Sequence, residues 1–224
     1  MVKAEVDRYF QDLDSSFYSG SFAKGTAVHM AGRGSDVDIF LSVRSSSTLA
    51  DIYEATYSFA AARSWQPTRQ NVSIGIKYSG YDIDLVPGRI ISGYQNWHNL
   101  YVRKAQSWRQ TNVSEHVRLV SQSGRLGEIR LLKIWRNLHG LDFTSFFLEL
   151  FALEELKGRS FNNLADNFWY LLGRVEANIT STVIIDPANS NNRISDSITQ
   201  AEKNRVRDQA RLSRSKQYLN QVVW

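Results

Sequence analysis

The chain has no cysteine, and that absence removes disulfide scaffolds, thiol nucleophiles, zinc knuckles and iron–sulfur centres at once. Its four histidines, His29, His98, His116 and His139, share no metal-ligand spacing, so a histidine-rich metal site is not expected. Long apolar runs are missing too. The most apolar stretch, residues 146–156, is broken by Glu149, Glu154 and Glu155 and is too short to cross a bilayer. Residues 1–8 carry charges throughout and lack the apolar core of a signal peptide. The expectation is a cytoplasmic protein with no membrane segment. Internal repeats and low-complexity tracts are absent as well.

What is present suffices for a folded core. Hydrophobic residues make up 42% and aromatics 12%, which argues against disorder. At 224 residues the chain has room for one large domain or two small ones. Lys and Arg number 27 against 22 Asp and Glu, a net charge of +5. The excess points to an anionic partner, for which a nucleotide, a nucleic acid and a membrane surface all qualify.

Periodicity divides the chain into two halves near residue 110. Residues 2–14 read as a short amphipathic helix with Val2, Val6, Tyr9, Phe10 and Leu13 on one side. Residues 19–26 read as a small-residue turn and residues 31–35 as a second flexible stretch. A strand is expected over 37–43, a helix over 48–63 and a strand over 72–78. A further strand over 81–86 is expected to stop at Pro87-Gly88. Residues 90–110 are ambiguous and compatible with extended structure. Beyond them the pattern is helical. Asn112 and Glu115 have capping-box spacing, and helices are expected over 127–139, 144–157, 161–178 and 196–219. A Ser/Asn-rich loop over 186–192 precedes the last of these, which is basic and reads as either a solvated outer helix or an RNA-binding one. The overall expectation is an α+β (mixed α/β) fold. Residues 1–110 form a lobe with a mixed sheet, and residues 111–224 form a helical lobe.

The chemistry concentrates in Ser35-Asp36-Val37-Asp38-Ile39-Phe40. A strand has a side-chain period of two, so Asp36 and Asp38 project to one face while Val37 and Ile39 turn to the core. Neighbouring carboxylates repel and raise each other's proton affinity, a penalty that a divalent cation removes. Magnesium suits oxygen donors best. A further pair, Asp82 and Asp84, lies in the expected strand over 81–86. Asp84 is preferred as the third acid because it sits deeper in the apolar run. Upstream, Gly20 and Ser21 lie in a segment whose small residues let backbone N–H groups approach a phosphate, with Lys24 adding a point charge.

Gly20-Ser21-Phe22-Ala23-Lys24-Gly25-Thr26, then Gly34-Ser35-Asp36-Val37-Asp38, then Asp84 in an apolar strand resemble the DNA polymerase beta-like nucleotidyltransferases. The branch they most resemble holds the oligoadenylate synthetases, cyclic GMP-AMP synthase and the bacterial cyclic-oligonucleotide synthases (CD-NTases). The resemblance implies a two-lobed enzyme that moves a nucleotidyl group from a nucleoside triphosphate to a ribose hydroxyl and releases pyrophosphate. It implies two magnesium ions, with manganese as a substitute, held by Asp36, Asp38 and Asp84. Arg130 and Lys133 lie three apart on one expected helix face and resemble the segment that supplies a phosphate-binding lysine. Ser145 and Phe146 resemble a segment whose serine contacts the triphosphate and whose next aromatic stacks on the base. Phenylalanine stands where the family commonly has tyrosine. The resemblance further implies ATP, GTP or other NTPs as substrates, an RNA or protein activator, and a role in antiviral signalling. RNA 3′-end tailing of the CCA- or poly(A)-adding type and non-catalytic nucleotide or RNA binding are the alternatives.

Overall fold

A computed structural model of the protein describes residues 2–30 and 33–223. In chain order its elements are α1 (Val2–Tyr9), β1 (Leu13–Tyr18), α2 (Gly20–Lys24), β2 (His29–Met30), β3 (Arg33–Gly34), β4 (Val37–Val43), α3 (Leu49–Ala61), β5 (Thr68–Arg69), β6 (Ile74–Tyr78), β7 (Tyr81–Ile90), β8 (His98–Val102), β9 (Ser107–Thr111), α4 (Val113–Ser121), α5 (Leu126–Leu138), α6 (Ser145–Glu155), α7 (Leu164–Asn178), β10 (Ile185–Asp186), β11 (Asn189–Arg193), α8 (Gln200–Arg214) and α9 (Asn220–Val223). The chain divides into two compact units. The first comprises residues 1–24 and 35–117, the second residues 25–34 and 118–224.

The first unit is built on a mixed sheet. Its central run is β1-β4-β7-β6-β5, with β8 pairing β7 and β9. β4 and β7 are parallel, and the other pairs are antiparallel. The core face follows from strand alternation. Ile39, Leu41 and Val43 of β4 and Ile83 and Leu85 of β7 are buried with Val2 and Val6 of α1 and Ile52, Tyr53, Phe59 and Ala60 of α3. α3 begins with a full capping box, in which Thr48 accepts from the Asp51 amide and Asp51 accepts from Thr48.

The second unit is helical. α5, α6 and α7 contribute Ile129, Leu132, Trp135, Phe147, Phe151, Phe168, Leu171 and Leu172 to its core, and Val206 and Ala210 of α8 join them. Among the described residues no helix is long and apolar enough to cross a membrane.

Several local expectations are corrected. The helix expected over 2–14 ends at Tyr9, and Leu13 begins β1. The heptad-like run from Val2 to Leu13 is thus shared by a helix and a strand. The turn over 19–26 contains the short helix α2. β7 does not stop at Pro87-Gly88 but continues to Ile90. Its pairing with β6 ends at Leu85 and its pairing with β8 begins at Gly88, so Pro87 falls in the gap along that edge. The ambiguous segment over 90–110 contains most of the β8–β9 hairpin, an integral part of the sheet. Residues 186–192 fold as the β10–β11 hairpin, closed by Asp186 accepting from the Ala188 amide at 2.9 Å and from Asn192 Nδ2 at 2.8 Å. The helix expected over 196–219 is α8 followed separately by α9. Of the flexible stretch over 31–35, Ala31 and Gly32 lie outside the described residues.

Candidate nucleotidyl-transfer site

The parallel pairing of β4 and β7 sets Asp38 opposite Asp84. Both lie on the sheet face opposite Ile39, Ile83 and Leu85. Asp36 directly precedes β4. Burial raises the Asp84 carboxyl from its ordinary value of 3.8 to about 6, and the charges of Asp38 and then Asp36 push it the same way. The Asp36 carboxyl is also raised, by partial desolvation first and by Asp82 second, with Lys77 opposing, although the residue as a whole is exposed. Asp82 is turned to solvent and paired with Lys77 at 3.0 Å. Of the two acids on β7, Asp84 is therefore the one that shares a charge environment with both Asp36 and Asp38.

Two glycines make room for these acids. Gly20 opens α2 with φ +55°, and a Cβ there would lie 1.7 Å from Asp38 Oδ2. The positive φ is a region that L side chains rarely adopt. The start of α2 is tied to β4 because the Ser19 amide donates to the Asp38 carbonyl at 2.9 Å. A Cβ on Gly75 would come 2.6 Å from Gln70 Nε2 and 3.3 Å from Asp84 Oδ1. Its absence lets Gln70 Nε2 donate to Asp84 Oδ1 at 2.9 Å, while Ser73 Oγ, 2.8 Å from Gln70 Oε1, reaches Asp84 Oδ2 at 3.4 Å. Gln70 and Ser73 were not singled out from the sequence. They come from a loop and carry no local motif, and only the sheet brings them to Asp84. Ser21, half-buried, and Lys24, buried, lie in α2.

The donor chemistry fits a hard divalent cation. Among the described residues no group of three or more acidic or histidine side chains is placed so that it could hold a metal ion. Magnesium does not need one, since it is commonly held by one or two carboxylates, with waters and substrate phosphates completing its shell. Opposed carboxylates that raise the proton affinity of Asp84 are the arrangement a cation relieves.

The helical unit places its expected residues differently. Lys133 is fully buried, with Nζ 2.6 Å from Glu149 Oε1 and 2.8 Å from Thr26 Oγ1. Thr26 Oγ1 in turn donates to Glu149 Oε1 at 2.7 Å. Lys133 is thus half of a buried ion pair and does not extend to solvent. Arg130 is exposed, and its Nε donates to the Gly25 carbonyl at 2.8 Å. The i, i+3 spacing does bring the two cations to one stretch of chain, and that stretch is Gly25–Thr26. Ser145 begins α6 and accepts from Arg136 Nη1 at 3.0 Å. The same nitrogen donates to the Phe143 carbonyl at 3.0 Å. Phe146 is half-buried against the helical core. Arg136 is a residue the sequence reading passed over. Burial lowers its proton affinity, with Glu149 and Asp142 opposing.

His98 and two arginines of the basic helix take structural places. His98 is buried on β8, with Nε2 2.8 Å from Ser42 Oγ, and burial lowers its proton affinity. On the basic helix α8, Arg211 and Arg214 pair with Glu176 of α7 at 3.1 and 2.8 Å.

No family model matches this chain. The cyclic AMP-AMP-AMP synthase of Escherichia coli (strain MS 115-1) is 25% identical over 165 residues, which take in 66% of this chain and 50% of that protein. The chain therefore spans about half the length of that curated relative. The structure of CdnC from E. coli MS115-1 with ATP superposes with a TM-score of 0.75 at 21% identity, covering 96% of this chain and 81% of the other. The CD-NTase CdnG of Bradyrhizobium diazoefficiens in complex with GTP superposes with a TM-score of 0.79 at 13% identity, covering 95% and 82%. The mixed sheet that carries Asp38 opposite Asp84, and the helical unit that carries Lys133 and Ser145, are the two parts of the nucleotidyltransferase fold in the form found in the CD-NTases.

Proposed function

We propose that the protein is a nucleotidyltransferase that joins nucleoside triphosphates into a cyclic oligonucleotide. The carrying observation is the parallel register that sets Asp38 against Asp84, with Asp36 beside them, on a chain with the CD-NTase fold. Asp36, Asp38 and Asp84 would hold magnesium, which when bound supplies charge neutralisation for the triphosphate and acidity for the attacking hydroxyl. The raised carboxyl of Asp84 marks a position where a bound cation would relieve charge repulsion, and the proton of the attacking ribose hydroxyl, made more acidic in this way, passes to solvent. The hydroxyl oxygen bonds to the α-phosphorus, the bond to the bridging oxygen breaks, and pyrophosphate leaves. Gly20 and Ser21 offer backbone and hydroxyl donors to the phosphates, and Lys24 offers positive charge. In the helical unit Ser145, steadied by Arg136, is a hydroxyl for the triphosphate, and Phe146 is a face for the base. Arg130 and Lys133 fix the Gly25–Thr26 segment that follows Lys24.

ATP and GTP in the solved relatives support NTP substrates, and the complex of CdnC with HORMA-deltaN supports a protein partner. Signalling in antiviral defence belongs to the same reading and rests on the resemblance, while a cytoplasmic location is proposed from the charged N-terminal residues and the lack of a long apolar run. The test is incubation with all four NTPs and magnesium or manganese, with product analysis by mass spectrometry and a pyrophosphate assay. Replacing Asp36 and Asp38 together by Ala is expected to abolish pyrophosphate release in a protein of unchanged thermal stability. Undiminished release by that double variant would overturn the assignment.

A further inference from the structure

A cavity of about 650 Å³ opens in the helical unit at the C-terminal ends of α4 and α6. It lies away from Ser145 and Phe146. They open α6, whereas Lys157 and Arg159 lie past its other end, so the 11 residues of the helix separate them by roughly 16 Å. Its charged lining is of one sign, with Arg118, Arg125, Lys157 and Arg159 present and no acidic residue among the lining residues. Leucines of α4 and α6 form its apolar wall, and Phe161 stands at its edge. The volume falls in the range of small-molecule sites.

Arg125 gives the cavity a rigid floor. It is buried, pairs with Glu128 at 3.1 Å, and donates to the carbonyls of Ser160 and Leu156 at 3.0 and 3.1 Å and to that of Arg159. Glu128 is held in turn by Asn167 Nδ2 at 2.9 Å. The Arg125 guanidinium lies 3.9 Å from the centroid of the Phe161 ring, yet Phe161 remains 64% exposed. A large aromatic backed by a fixed cation and open to water is a platform for a second π-system. Lys157 is paired with Glu154 at 2.5 Å, but both side chains are exposed, and a surface pair of this kind is easily exchanged for a stronger anion.

We propose that this cavity is a second nucleotide site, distinct from the carboxylate site, in which a base stacks on Phe161 and its phosphate lies among Arg118, Lys157 and Arg159. The ligand chemistry is a nucleobase bearing a 5′-phosphate, supplied either by a free nucleotide or by the end of a single strand. The site does not depend on the catalytic reading.

Photolabelling with 8-azido-ATP in EDTA, followed by peptide mapping, tests it in the full chain. Saturable label on the peptide spanning residues 157–163 is the expected result. Phe161→Ala and Lys157→Glu should each weaken labelling by about tenfold or more at unchanged thermal stability, because both side chains are exposed. A parallel arm uses a hexa-adenylate with the azide on its 5′ nucleotide. Phe161-dependent labelling by either probe sustains the site and identifies its source. Labelling by neither, or labelling that Phe161→Ala leaves unchanged, overturns it.

Discussion

Asp84 illustrates how a single residue carries both a cost and a use. Its carboxyl holds a proton to about pH 6, whereas an ordinary aspartate gives it up near 3.8. Between those values the folded chain binds more protons at this position than the unfolded chain does. Its contribution is therefore to make stability fall as pH rises from about 4 to about 6, by on the order of 2 kcal/mol after screening of a partly exposed group, with no further change above. Asp84→Asn should remove that decline, and added magnesium should flatten it in the unaltered protein. Urea titrations at pH 4, 5, 6 and 7 on both proteins read the difference directly. Equal slopes would show that burial and the neighbouring acids do not raise the Asp84 carboxyl in the folded chain. At the same scale, Gly20→Ala places a methyl where Asp38 Oδ2 now lies and forces φ +55° on an L residue. The backbone cost is about 1–2 kcal/mol. The displacement of Asp38 should lower turnover by about 100-fold, well beyond what the stability loss explains. Calorimetry alongside the pyrophosphate assay separates the two effects.

Elements show which sequence signals survive folding. β4 was legible because residues 37–43 are rich in β-branched and apolar side chains, and the strand period of two put Asp38 on the face opposite Val37 and Ile39. β7 was cut short because Pro87 was read as a stop, a rule that assumes a partner along both edges. Here the partner changes at that residue. α5 was legible in extent, but not in the meaning of Lys133. Its partners Glu149 and Thr26 lie 16 and 107 residues away, and no local pattern announces them. That pair gives the element its own prediction. Lys133→Met strands a buried Glu149 and should cost about 3–5 kcal/mol. Joining it with Glu149→Leu and Thr26→Val removes the polar groups of this triad, though it also takes the Glu149 charge from buried Arg136, and should recover part of the loss in chemical denaturation. If turnover stays low in the recovered triple variant, Lys133 acts on substrate. If turnover returns, its role is to hold Gly25–Thr26 in place.

The whole molecule is where sequence reading had least to work with, because chain order and compact units do not coincide. A single boundary follows from a change of periodicity, and periodicity near residue 110 does change from strand to helix. The ten residues 25–34 nonetheless belong to the helical unit, though they are flanked on both sides by segments of the sheet unit. Their attachment is specific. Thr26 is fully buried on Glu149 and Lys133, and the Gly25 carbonyl accepts from Arg130. A fragment covering residues 118–224 carries the helical core but leaves the Lys133–Glu149 pair without the Thr26 hydroxyl and opens its site to water. Each buried polar group that loses its partner costs about 1–3 kcal/mol, a large share of the stability of a unit of this size. The fragment alone should therefore unfold at lower urea concentration than the same fragment supplied in trans with a peptide of residues 25–34. Circular dichroism of the two samples reads the shift. The peptide with Thr26→Val should give less of it. Identical midpoints with and without the peptide would mean that the helical unit closes over Lys133 and Glu149 without this segment.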